Sequence, residues 1–148
     1  MYNYRYNLTK LQEIALRAIS PGINDPNTAI HCINKIGVLL LPLSQVNSYH
    51  IKQEKDTSVE IFYSSHSFEE DMEYLYMPLI EYAKTDLSVI QSILRSFYMI
   101  RLSATTRNKR VIDELVNHIE QKVGDFLSTD FEKQIFAREL EPLKPEQA

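Results

Sequence analysis

Cysteine, glycine and tryptophan are scarce or missing in this chain of 148 residues, which has one cysteine, three glycines and no tryptophan. The lone Cys32 forms no intrachain disulfide and cannot build a cysteine-ligated zinc or iron–sulfur centre. So few glycines leave no glycine-rich phosphate loop, and no Walker, dinucleotide-binding, nucleophile-elbow or HExxH pattern occurs. No catalytic residue, metal site or cofactor is therefore assigned, and the residues alone lean away from an enzyme. Long apolar runs are absent too. The longest, Gly37 to Leu43, is broken by Pro42 and falls well short of the ~20 apolar residues of a spanning helix. The opening Met1-Tyr2-Asn3-Tyr4-Arg5 has no signal-peptide character. A net charge of −4 argues against a generally basic nucleic-acid binder, so nucleic acid is not an expected partner.

What is present is apolar patterning. Hydrophobic residues make up 44% of the chain, which excludes global disorder, and a chain of this length buries roughly two-thirds of its unfolded surface. The expected fold is mainly α, five to six helices in a compact bundle forming one domain over residues 1–140, with a flexible tail over 141–148. The first helix is expected over Leu8–Ile19, with Leu8, Leu11, Ile14, Ala15, Ala18 and Ile19 on its core face and Glu13 paired to Arg17. Ser20-Pro21-Gly22-Ile23-Asn24-Asp25-Pro26 reads as a stop and restart, with Asp25 as N-cap and Pro26 as first helical residue. The second helix should run from Pro26 to Leu41 and stop at Pro42.

Residues 44–66 change character. A small β-hairpin between the second and third helices is expected there, pairing residues near Tyr49–Lys52 with Val59–Tyr63. Ser67-Phe68-Glu69-Glu70 has the form of a capping box and should open a third helix with Phe68, Met72, Leu75, Leu79 and Tyr82 inward. Pro78 within that helix predicts a kink near Tyr74, whose carbonyl loses its donor. A fourth helix, capped by Thr85 or Asp86, extends to about Leu102 and is apolar over more than half its circumference, the mark of a central helix. A fifth spans about Thr106–Leu127 and a short sixth, capped by Thr129 or Asp130, ends at Leu140.

The string from Leu11 to Ala29 resembles the signature of an uncharacterised family of predicted bacterial membrane proteins, domain of unknown function 2254. Glu13 and Ile19 stand where that family usually carries aspartate and leucine. A looser similarity covers Ser67–Glu70 and the helix after it, so that the likeness spans about residues 6–100. The resemblance implies the C-terminal soluble portion of a protein whose spanning helices lie elsewhere, held at the cytoplasmic side of the inner membrane. It supplies no catalytic residues.

Two candidate surfaces emerge. At the helix–helix corner, Arg17, Ser20, Asn24, Asp25 and Thr28 bring several oxygens and one guanidinium together, a setting for a small polar ligand or a cation. The same residues also suit a tight connection whose side chains satisfy free amides. The second surface is a charge asymmetry. Between Leu87 and Ile112 no acidic residue occurs, while Arg95, Arg101, Arg107, Lys109 and Arg110 give +5, against −7 for residues 54–86. Such a stretch suits anionic phospholipid or an acidic partner, and equally suits helix-terminal arginines around a solvated turn. The four histidines, His31, His50, His66 and His118, read as solvated, and His118 with Glu114 makes half a metal site at most. Glu69, Glu70, Asp71 and Glu73 suit a helix N-terminus.

The leading expectation is a non-enzymatic assembly, regulatory or interaction module. It would meet the membrane through the rest of the parent protein or through its basic surface, with self-association suggested by Tyr2, Tyr4 and Tyr6. The alternative is a ligand-binding or enzymatic domain with its site at the Ser20–Thr28 corner.

Overall fold

A computed structural model of the chain describes residues 4–49, 52–53, 61–62 and 66–145, with the backbone alone at 48–49, 52–53, 61–62 and 66. Among the described residues six α-helices carry the fold: α1 Tyr4–Ala18, α2 Pro26–Ser44, α3 Phe68–Ala83, α4 Leu87–Ser103, α5 Thr106–Val123 and α6 Asp130–Leu140. Every helix after the first opens on a side chain that accepts from its free amides. Asp25 accepts from Thr28, Asp86 from Ser88 and Val89, and Thr105 from Asn108. Ser67 with Glu70 and Thr129 with Glu132 close full capping boxes. These caps are short-range chemistry, which is why the expected starts and the observed ones agree.

Helix ends obey tertiary partners instead. α2 does not stop at Pro42 but runs on to Ser44. Proline deprives only one carbonyl, that of the exposed Val38, of its donor, and the last turn is secured from outside. The Thr105 amide donates to the Ser44 carbonyl at 3.0 Å. The buried Asn108 amide donates to the carbonyls of Ser44 at 2.9 Å and Val46 at 2.7 Å. The first turn of α5 thus terminates α2. At the far end, α5 gives way after Val123 to a 3-10 turn, Gly124–Phe126, and the chain past α6 begins with another, Glu141–Leu143, in which Leu143 is buried.

The β-hairpin expected between α2 and α3 is not supported. The described residues there hold two isolated antiparallel ladders of two residues per strand, Ser48–Tyr49 against His66–Ser67 and Lys52–Gln53 against Ile61–Phe62. Tyr49 is registered against His66 rather than any residue of 59–63, and only Lys52, opposite Phe62, meets its expected partner segment. Pairings this short lack the third strand or apolar face that makes a hairpin stable by itself. Val59, Glu60, Tyr63 and the expected turn at Asp56–Ser58 lie outside the described residues.

The helices touch in a closed circuit: α1 packs on α2, α2 on α4, α4 on α5, α5 on α3 and α3 back on α1, with α6 laid against α4. The α2–α4 packing is the most extensive. It is close because Gly37 faces Ser96: a methyl group on Gly37 would lie 3.1 Å from the Ser96 Cβ. Ile33, Ile36, Leu40, Phe68, Leu79, Ile90, Phe97 and Ile112 fill the centre. Tyr76 meets Phe97 edge to face, with ring centroids 4.7 Å apart.

Two expected core residues face outward: Ile14 is 47% exposed and Tyr82 63%. Gln12 takes the inward position on α1, and Tyr76 takes it on α3. The reason at Gln12 is polar: its buried amide donates to the carbonyls of Tyr74 and Leu75.

Candidate functional site

The Ser20–Thr28 corner is a tight connection held by local hydrogen bonds. The Ser20 hydroxyl donates to the Arg17 carbonyl at 2.7 Å, and the Ser20 carbonyl accepts from the amides of Ile23 and Asn24. Asn24 has a φ of 48°, a left-handed conformation that asparagine tolerates better than most residues. It turns the chain so that the Asp25 amide reaches the Ala18 carbonyl at 2.7 Å. Both Asp25 oxygens are occupied by Thr28, one by its amide at 3.1 Å and the other by its hydroxyl at 2.5 Å. The Thr28 hydroxyl, followed by the backbone amides, holds the Asp25 carboxyl below the usual aspartate range. Arg17 is exposed and does not pair with Glu13, which instead accepts from Lys10 at 2.8 Å. Of the five residues singled out in the sequence, Ser20, Asp25 and Thr28 use their side chains in local hydrogen bonds, Asn24 supplies the left-handed turn, and the Arg17 side chain is exposed.

The basic stretch divides into two groups. Arg95 forms a forked contact with Glu139 of α6, the shortest distance 2.6 Å, which raises the arginine's pKa and lowers that of the carboxyl. Arg101 is likewise held by Asp113 of α5 at 2.8 Å. These two cations are internal clamps. Arg107 and Arg110 are exposed in the first two turns of α5, and neither forms an ion pair among the described residues. Lys109 is half-buried and opens into a groove of about 610 Å³ lined by Tyr98, Arg101, Leu102, Lys109, Pro142, Lys144 and Pro145. Lys144, well beyond the stretch flagged in the sequence, is thereby added to it. Its relation to Lys109 depends on the turn that buries Leu143, a long-range feature with no local signature.

A second polar cluster joins residues too far apart in the chain to leave a local signature. Asp71 on α3 is buried, accepts a 2.6 Å hydrogen bond from the Tyr4 hydroxyl and stands 3.4 Å from the Arg5 guanidinium. It fastens the start of α1 to α3, so Tyr4 docks on its own chain; Tyr2 lies outside the described residues. Of the remaining candidates, His31 is exposed on α2 beside Lys35, and Cys32 is buried, its thiol pushed upward by desolvation. Among the described residues no group of three or more metal-ligating side chains occurs.

No curated protein and no solved structure matches the chain. A family model described as a predicted membrane protein, domain of unknown function 2254, matches residues 2–99. The matched stretch takes in α1, α2, α3 and most of α4, and leaves α5, α6 and Lys144 beyond it. Among the described residues no helix is long and apolar enough to cross a membrane. With about two-thirds of its length matched, the chain belongs to this family of predicted membrane proteins.

Proposed function

We propose that this chain is a non-enzymatic interaction module on the cytoplasmic side of a membrane, and that the basic end where α4 runs into α5 faces anionic phospholipid. The observation that carries the reading is the division of the basic stretch. Two cations are neutralised by carboxylates from neighbouring helices, while Arg107 and Arg110 project from α5 with none, and Lys109 opens into the adjacent groove. Juxtamembrane cations of this kind contribute about 1 kcal/mol each near an anionic surface. Membership of a membrane-protein family makes such a surface the neighbour at hand. The alternative ligand or enzyme site at the Ser20–Thr28 corner has less support, because Asp25, Ser20 and Thr28 are engaged in local hydrogen bonds.

Vesicle cosedimentation tests the proposal. The chain should pellet with vesicles containing phosphatidylglycerol and stay in solution with phosphatidylcholine alone, and added salt should weaken the binding. The double change Arg107→Glu and Arg110→Glu, both at exposed positions, should abolish pelleting while leaving the helical circular dichroism intact. Equal partition to both kinds of vesicle, or indifference to the double change, would overturn it.

A further inference from the structure

The groove beside this surface combines features that a diffuse electrostatic contact does not need. Arg101 comes from the end of α4, Lys109 from the start of α5 and Lys144 from the turn after α6, so three separate elements converge their cations on one concavity. One carboxylate, Asp113, answers Arg101; Lys109 and Lys144 form no ion pair among the described residues. The rest of the lining, Tyr98, Leu102, Pro142 and Pro145, is largely apolar, with Leu102 63% exposed and Tyr98 38%. A volume of about 610 Å³ lies within the ~300–1,000 Å³ typical of small-molecule sites.

We infer that this groove is the headgroup site for a single anionic phospholipid, its phosphate between Lys109 and Lys144 and its glycerol and upper acyl carbons against Leu102 and Tyr98. The inference rests on the membrane reading above and makes it specific. Lysine ammonium groups are compact donors suited to phosphate oxygens. A free phosphate would use the cations and leave the apolar wall in water. A zwitterionic lipid would set its own cation against two lysines. An anionic amphiphile satisfies both halves of the groove.

The test titrates the full chain, by calorimetry or amide chemical shifts, with dihexanoyl phosphatidylglycerol below its micelle concentration, and in parallel with dihexanoyl phosphatidylcholine and inorganic phosphate. Saturable binding of the phosphatidylglycerol is expected, weaker by about tenfold or more for the other two. The double change Lys109→Ala and Lys144→Ala should reduce it by about tenfold or more. Arg107→Glu with Arg110→Glu, which ends vesicle binding, should weaken it less than the lysine changes do, and less still at raised salt. Absence of saturation, indifference to the lysine changes, or phosphate bound as tightly as the lipid would overturn the site. Loss of the site with vesicle binding retained would overturn this inference alone. Short-chain binding without any vesicle preference would overturn the reading of the basic end and leave the groove site standing.

Discussion

Gln12 on α1 supplies the hydrogen bond that Pro78 withholds from α3. Within α3 the Tyr74 carbonyl would accept from the amide of residue 78, which proline lacks; the Gln12 amide, 5% exposed, reaches that oxygen at 2.7 Å and the Leu75 carbonyl at 2.9 Å. One residue therefore repairs a helix and joins two of them. Gln12→Ala should destabilise the protein by about 1–3 kcal/mol, since it strands a carbonyl and opens a cavity. In a Pro78→Ala background, where α3 bonds its own carbonyl, the same change should cost at least about 1 kcal/mol less. Denaturant melts of the four proteins measure the coupling, and additive effects would refute the compensation.

Tyr76 presents the opposite case, a polar atom without a partner. Its side chain is wholly buried against Phe97, and its hydroxyl has no hydrogen-bond partner among the described residues; burial pushes its phenol far above the ordinary range. Tyr76→Phe keeps the ring and removes the stranded group. It should stabilise the fold by about 1 kcal/mol, read as a melting temperature higher by about 3 °C. A lower melting temperature would show that the hydroxyl is satisfied by buried water.

The contrast between these residues and the caps shows what was legible in the sequence. Asp25-Pro26, Ser67 with Glu70, Asp86 and Thr129 act on amides two or three residues away, so their roles can be read directly along the chain. Gln12 is inside and Ile14 outside because of a carbonyl 62 residues further on. Pro42 fails to end α2 because Thr105 and Asn108 hold the Ser44 carbonyl. The basic stretch is visible in the sequence as a run without carboxylates, yet which of its cations are paired depends on Asp113 and on Glu139, 44 residues beyond Arg95. Hydrophobic spacing identifies a helix face, and polar partners from other helices decide its edges.

Asp25 makes a pH prediction. Hydrogen bonds from Thr28 depress its carboxyl pKa in the folded protein, so its stabilising contribution is fully present above the unfolded-state value and is lost as pH falls through the folded one. Asp25→Ala should lower the melting temperature at neutral pH, and Asp25→Asn, which can still accept from the Thr28 amide, should lower it less. The gap between wild type and Asp25→Ala should narrow as the solution is acidified below the ordinary aspartate range. A gap independent of pH would mean that the carboxylate contributes no more than its shape.

Gly37 and Ser96 set the distance between the two helices that pack most extensively. A Cβ on Gly37 would lie 3.1 Å from both Cβ and Oγ of Ser96. The hydroxyl can rotate away, but the Ser96 Cβ is fixed to the backbone in the middle of α4, so relief requires moving a helix. Alanine in place of a helical glycine is worth up to ~1 kcal/mol in propensity, whereas overpacking a well-filled interface costs about 1–3 kcal/mol. Gly37→Ala should therefore be net destabilising, by about 1 kcal/mol. Ser96→Gly removes the opposing carbon, so in that background the propensity gain should dominate and Gly37→Ala should become stabilising. Thermal melts of the single and double variants give the two signs, and the same sign in both backgrounds would refute Ser96 as the obstacle.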